Sequence, residues 1–378
     1  MTKKLYYDDA YIKEFSAKVL SVTECDGGFE VVLDRTAFFP EEGGQSSDRG
    51  YIDSGFVSHV YEEGGVVHHI TDKAPLGKDV TATLLFDERF EKMQQHTAEH
   101  ILCGIIHKLF GFDNVGFHLG EGEVTFDVNG VMTREMLDEA ERLANEAVFS
   151  NLDVTAYFPS AEELKNIDYR AKLELTENVR LVKIGDVDTC ACCAPHVAKT
   201  GEIGLIKVLD FMKHRGGTRI WLAAGRRALS DYRNRYENVL KISSILCAPQ
   251  GDVASALEKY VKDTEDIKRA LKESRAALAE NMAYSVPVTE GNRVVVLDGF
   301  SIDELRAFSN IAKEKVRGFL VALSAEGEEY KYVISSGEEI SQRIKEINAA
   351  LKGKGGGRGN MAQGSFCVAL EKIEAYFS

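Results

Sequence analysis

Two pairs of side chains limit the fold more than anything else in this chain. They are His96 and His100, in His96-Thr97-Ala98-Glu99-His100, and Cys192 and His196, in Cys192-Cys193-Ala194-Pro195-His196. Each pair has i, i+4 spacing, which on a helix sets both side chains on one face. Imidazoles with one thiolate are a ligand set that Zn2+ takes in a tetrahedral site. If one ion is held by all four, the fold must carry two distant segments to a single point. Cys190 and Cys193 compete as thiols, but Cys192 alone has the i, i+4 relation to His196. Four protein ligands would close the sphere, so the ion's task, activating water or positioning a substrate, stays open at this stage.

The hydrophobic period divides the chain around that site. Ala17 to Val22 and Phe29 to Leu33 alternate in polarity about Asp26-Gly27-Gly28, a hairpin signal, and further short alternating runs follow. Residues 1–90 therefore read as a small β-barrel or sandwich. Near Glu88 the period lengthens: Met93, Thr97, His100, Ile101 and Ile105 recur at helical spacing, which places both histidines of the first pair on a helix. A second amphipathic helix at 133–150, N-capped by Thr133, and short strands complete an α/β zinc-binding domain over 91–225. Residues 226–290 carry two long stripes of three-and-four spacing, broken at Cys247 to Asp252. They predict an antiparallel helical hairpin. From 291 to 378 strands and helices alternate around a Gly-rich loop, a small α/β domain. The fold class is α+β and multidomain.

Composition narrows the setting. No apolar run is long enough for a membrane span and the N-terminus has no signal core, so a cytoplasmic protein is expected. Three of seven cysteines crowd into four positions, which suits thiolate ligation better than bridging. A net charge of −14 argues against indiscriminate nucleic-acid binding but leaves room for local basic patches. One such patch runs from Lys207 through Lys213, Arg215, Arg219, Arg226 and Arg227. Another is Lys352-Gly353-Lys354-Gly355-Gly356-Gly357-Arg358, which is no Walker loop because Lys354 lacks a following Ser or Thr. There Lys352, Lys354 and Arg358, with the amides of Gly356 and Gly357, can clasp an RNA backbone. His-Thr-Ala-Glu-His also fits the H-x-x-E-H arrangement of inverted zinc proteases, with Glu99 as general base and a distant carboxylate completing the site. A non-catalytic RNA-binding protein is a third reading.

Several segments together resemble one family. Leu33 to Gly50, including Thr36-Ala37-Phe38-Phe39-Pro40 and Gly43-Gly44-Gln45, is similar to the signature segment of alanyl-tRNA synthetase editing regions. Gln95 to Leu102 resembles that family's H-x-x-x-H helix, and Cys192 to Gly204 its C-x-x-x-H segment. Gly355 to Gly364 resembles the DHHA1-like domain found at the synthetase C-terminus. No aminoacylation domain has room before the first strand, so the resemblance is to the freestanding, long-form editing proteins. Glu99 stands where the family often has a small or hydroxyl residue, and Cys193-Ala194-Pro195 replaces the usual Gly-Gly-Thr.

The resemblance implies an aminoacyl-tRNA hydrolase that clears serine, or glycine, from alanine tRNA. A site that accepts alanine cannot exclude glycine or serine strongly, so a second, hydrolytic site is needed. It implies Zn2+ as cofactor, held by His96, His100, Cys192 and His196. Thr36 is the expected contact to the serine hydroxyl, Gln45 to the ester carbonyl or a water, and Glu99 a possible base. A homodimer through the C-terminal region is expected as well.

Overall fold

The computed structural model describes residues 1–120, 122–171 and 179–378, which form two compact units, Met1–Val239 and Leu240–Ser378. The first unit opens with Lys3–Lys4 (β1), Glu14–Cys25 (β2), Gly28–Leu33 (β3) and Arg35–Thr36 (β4). Gly50–Ile52 (β5), Gly55–Glu63 (β6), Val66–Thr71 (β7) and Asp79–Leu84 (β8) follow. Six of these close a barrel in the order β2-β3-β7-β6-β5-β8. Strict alternation drives the closure: in β8 Val80, Ala82 and Leu84 point in while Asp79, Thr81 and Thr83 point out. The barrel core is Phe15, Val31, Leu33, Phe38, Ile52, Val57, Val60 and Val67 with their neighbours. Gly50 is required, since a Cβ there would lie 2.1 Å from the carbonyl oxygen of Thr83.

The chain leaves the barrel directly into a long helix, Phe86–Phe110 (α1), ended by Gly111 in the left-handed region at φ 69°. Residues Met93 to Ile106 of α1 are buried on every side, so the helix is an axle of the unit rather than a surface element. Asn114–Leu119 (β9), Val124–Val128 (β10), Arg134–Phe149 (α2), Val154–Tyr157 (β11), Ala161–Leu164 (α3), Leu181–Ile184 (β12) and Asp188–Ala191 (β13) come next. Ile206–His214 (β14) and Gly217–Ala224 (β15) complete a four-stranded sheet in the order β14-β15-β10-β9. Ile101, Leu102, Ile105 and Ile106 of α1 join Leu137, Ala140 and Ala144 of α2 and Phe126, Ile220 and Leu222 of that sheet in one core. A smaller sheet, β11-β12-β13, ends immediately before Cys192.

Gly225–Leu246 (α4) and Val253–Ser285 (α5) are two further long helices, broken at Cys247, which has φ 50°. The stripes expected to form a hairpin core are largely exposed: Leu229, Tyr232 and Tyr236 in α4, and Leu257, Tyr260, Ile267, Leu271 and Leu278 in α5. Burial in α5 is confined to Ala279 and Ala283, which enter the core of the second unit beside Leu305 and Phe308. That unit comprises Arg293–Val296 (β16), Ile302–Ala312 (α6), Leu320–Glu326 (β17), Glu329–Ser335 (β18), Arg343–Ala350 (α7), Gly353–Arg358 (β19), Met361–Phe366 (β20) and Leu370–Phe377 (α8). Its sheet runs β16-β17-β18-β20-β19 with two apolar cores. The Gly-rich segment is therefore an edge strand and not the expected loop. Its glycines answer a close approach: a Cβ on Gly355 would lie 2.6 Å from the Tyr332 hydroxyl. Among the described residues no helix is long and apolar enough to cross a membrane.

Candidate metal centre

Helix α1 presents His96 and His100 one turn apart, and the irregular segment after β13 presents Cys192 and His196. All four ligand atoms lie within 4.8 Å of one another. The second pair is not helical. Pro195 sits in a loop whose shape is set by Arg180, which donates from Nη1 to the carbonyls of Cys192 at 2.9 Å and Ala194 at 2.8 Å.

Each imidazole is anchored through Nδ1. His96 Nδ1 is 2.8 Å from Gln45 Oε1, His196 Nδ1 is 3.0 Å from Thr97 Oγ1, and His100 Nδ1 is 3.3 Å from Asp188 Oδ2. The Thr97 hydroxyl donates to the Met93 carbonyl at 2.7 Å, which leaves its oxygen to accept. Asp188 is gripped by Arg170, Nε and Nη2 each 2.8 Å from one carboxylate oxygen. Two independent acceptors thus favour the same tautomer for His96 and His196, hydrogen on Nδ1 and a lone pair on Nε2, while the Asp188 carboxylate lies at ion-pair distance from His100.

The Nε2 atoms converge on one sulfur: His96 Nε2 is 3.6 Å and His196 Nε2 3.4 Å from Cys192 Sγ. With Zn–S of about 2.3 Å and Zn–N of about 2.0–2.1 Å, a tetrahedral ion separates its sulfur and nitrogen ligands by about 3.5 Å. The donor set therefore fits zinc in chemistry and in spacing. Burial pushes the Cys192 thiol up, but His96 and His196 beside it outweigh burial and hold it well below the usual thiol range. Burial pushes His196 down to about 3. A thiolate beside a neutral imidazole is the state in which these groups bind a metal. Asp188 lies 3.3 Å from His100 Nδ1 while held by Arg170, the place of a carboxylate that orients a ligating imidazole. Asp188 also groups with His100 and Cys190, a neighbouring set that shares His100.

The cluster forms one wall of a cavity of ≈ 820 Å³ in the first unit. Glu99 lines it, its Oε1 taken by the Cys103 thiol at 3.1 Å and by the Asn114 amide. Gln45 is fully buried at the end of the signature loop, and its Nε2 has no partner among the described residues. Gly44 lets that loop lie against β9: φ is 85°, and a Cβ would come 2.3 Å from the Phe117 carbonyl oxygen. Thr36 lies off the cavity lining, wholly buried, with Oγ1 2.9 Å from His69 Nε2 and accepting from Phe38 N–H at 3.1 Å.

The basic stripe is less free than its sequence suggests. Arg219 holds Asp127 through two 2.7 Å contacts, Arg226 lies 3.3 Å from Asp87, and Lys207 and Arg227 are paired with Glu141 and Glu91. Lys213 and Arg215 stand exposed at the tip of the β14–β15 hairpin. Lys352, Lys354, Gly356, Gly357 and Arg358 belong to the second unit, and the last four lie exposed along its edge strand. Sequence reasoning missed Asp188, Thr97, Arg170 and Arg180. Of these only Thr97 carried a signal, its place inside the histidine motif.

The family model for the threonyl and alanyl tRNA synthetase second additional domain matches residues 179–220, and that for class II (A) tRNA synthetases matches residues 2–88. With the barrel and the His-Cys cluster, they define the class as an editing-type aminoacyl-tRNA hydrolase. The chain is 31% identical to the alanyl-tRNA editing protein AlaX-L of Pyrococcus horikoshii, over 100% of this chain and 99% of that protein. It therefore belongs to the freestanding alanyl-tRNA editing proteins of the AlaX-L type. It is also 32% identical to the alanine–tRNA ligase of Halobacterium salinarum, over 90% of this chain but 39% of the ligase. The C-Ala domain of Aquifex aeolicus alanyl-tRNA synthetase matches 22% of this chain and 86% of its own at 22% identity, with a TM-score of 0.20.

Proposed function

We propose that this hydrolase deacylates alanine tRNA mischarged with serine, and also with glycine. The observation that carries the reading is the gathering of His96, His100 and His196 around Cys192 within 4.8 Å beside a cavity, two of the imidazoles fixed in tautomer, in a chain of the alanyl-tRNA editing family. His96, His100, Cys192 and His196 would hold Zn2+, which when bound supplies positive charge against the substrate's ester end. Gln45 Nε2, without a partner among the described residues and next to the loop residues Glu42 and Gly43 that line the cavity, is assigned the ester carbonyl oxygen, where negative charge develops. Glu99, with Oε1 fixed by Asn114 and Cys103, takes a proton from the attacking water through Oε2. The water oxygen bonds to the carbonyl carbon, the bond from that carbon to the ribose oxygen breaks, and the proton passes to the ribose oxygen.

Thr36 keeps one acceptor lone pair after donating to His69 and accepting from Phe38. We assign it the serine hydroxyl, which the methyl of alanine cannot replace, an assignment that requires the seryl side chain to pass from the cavity into the barrel wall, since Thr36 lies off the lining. Lys213 and Arg215 of the first unit contact tRNA phosphates, as do Lys352, Lys354 and Arg358 of the second; the paired Arg219 and Arg226 contribute less. A homodimer through the C-terminal region and a cytoplasmic setting complete the proposal. Zinc-loaded protein incubated with seryl- and alanyl-charged alanine tRNA tests it: serine is released at least about a hundredfold faster than alanine. No serine release refutes the reading.

A further inference from the structure

The cavity beside the metal cluster is far larger than a seryl group needs. Its ≈ 820 Å³ lies in the range of sites that enclose a drug-sized ligand, about 300–1,000 Å³. Besides His96 and Cys192 the lining includes aromatic rings, among them Tyr7 and Phe158. Phe158, just beyond β11, is 52% exposed and lines the cavity, so one face of its ring is open to a flat partner.

That ring is backed by a chain of contacts leading to the metal loop. Tyr7 meets Phe158 edge-on at 5.5 Å and 74°, and Tyr6 meets Tyr7 edge-on at 4.7 Å. The Arg180 guanidinium lies 5.1 Å from the Tyr7 ring centre, and Lys4 Nζ 5.5 Å. Arg180 is the residue whose Nη1 holds the Cys192 and Ala194 carbonyls. One buried side chain thus shapes the ligand loop and supports the aromatic corner, which fixes the spacing between the two.

We propose that Phe158 is the stacking platform for the adenine of the RNA's 3′-terminal nucleoside, with Tyr7 and Arg180 as its supports. The proposal deepens the editing reading and rests on it for the identity of the substrate. A base held on Phe158 puts the ribose, and the ester it carries, between the platform and the metal cluster. Stacking is tolerant of base identity and adds binding without touching the reacting atoms. It therefore acts on KM and leaves kcat alone.

The test uses zinc-loaded full-length protein. Phe158→Ala raises KM for seryl-tRNA about 5- to 100-fold, keeps kcat within about twofold and retains full zinc content, and Phe158→Trp restores KM. In parallel, calorimetry compares a 3′-serylamide of adenosine with the same serylamide on an abasic ribose. Wild type prefers the adenosine compound at least about fivefold, and Phe158→Ala loses the preference. An unchanged KM, a loss confined to kcat, or equal binding of the two compounds by wild type overturns the platform. If wild type shows the Phe158-dependent preference yet releases no serine, the editing reading falls and the platform stands.

Discussion

Asp48 and Arg89 form an ion pair almost wholly removed from water, the two side chains 2% and 1% exposed, and it joins the barrel's signature loop to the metal-bearing helix. Arg89 Nε is 2.9 Å from Asp48 Oδ2, and the guanidinium also donates to the carbonyls of Ala10 at 3.1 Å and Ala37 at 2.6 Å. Asp48 accepts from Phe39 N–H at 2.6 Å. Breaking such a pair from one side leaves a buried charge uncompensated, which costs about 3–5 kcal/mol. Asp48→Asn should therefore lower unfolding stability in urea by about that amount. Asp48→Leu combined with Arg89→Met should cost less than the sum of the single changes. Additive losses would show that the pair is not coupled.

The anchors behind the imidazoles predict metal affinity. Asp188→Asn, Gln45→Leu and Thr97→Val each leave the four ligands in place but release one ring orientation. Competition against a chromophoric chelator should show zinc affinity reduced about 10- to 100-fold in each. Cys192→Ala should abolish stoichiometric zinc, whereas Cys190→Ser should retain it. Retention by Cys192→Ala would move the sulfur ligand to Cys190, whose Sγ already groups with His100 and Asp188.

These anchors also mark how far the sequence could be read. The first histidine pair was legible because α1 keeps its helical period from Met93 through Ile105. The second pair was found by a spacing that turned out not to be helical. A loop does the work there, shaped by Arg180, and no local pattern announces that contact. Asp188 was invisible because the residue it orients, His100, belongs to a distant helix, and pairings of that kind leave no periodic trace. In the Gly-rich segment glycine reads as loop, yet the strand forms because Tyr332 occupies the space that side chains would take. The stripes of α4 and α5 were correctly periodic, but periodicity reports a face and not what covers it.

Strain at the β14–β15 turn separates stability from RNA contact. His214 and Gly217 pair across a two-residue turn in which Arg215 has φ 46° and Gly216 φ 86°. Such turns favour Asn-Gly or Asp-Gly, and an arginine in the left-handed region costs about 1 kcal/mol or more. Arg215→Asn should raise thermal stability while weakening tRNA binding and shallowing its salt dependence by about one phosphate contact. Unchanged binding with raised stability would remove this residue from the RNA contacts.

His69 gives the barrel a defined response to acid. It is fully buried, and burial pushes it from its ordinary value down to about 4. Nδ1 lies 2.9 Å from the Val31 carbonyl, to which it donates, so Nε2 accepts from the Thr36 hydroxyl and the ring is neutral. In the unfolded chain the ring titrates near 6.5, so protons favour the unfolded state between the two values. Its contribution is complete above pH 6.5 and is lost as pH falls through about 4, a difference of about 3 kcal/mol at most. Urea titrations from pH 7.5 to 4.5 should show wild type losing stability steadily across that window. His69→Gln keeps a neutral polar group against Thr36 and should lose less over the same range, although it starts lower at pH 7.5. Parallel curves for the two proteins would exclude His69 as the source.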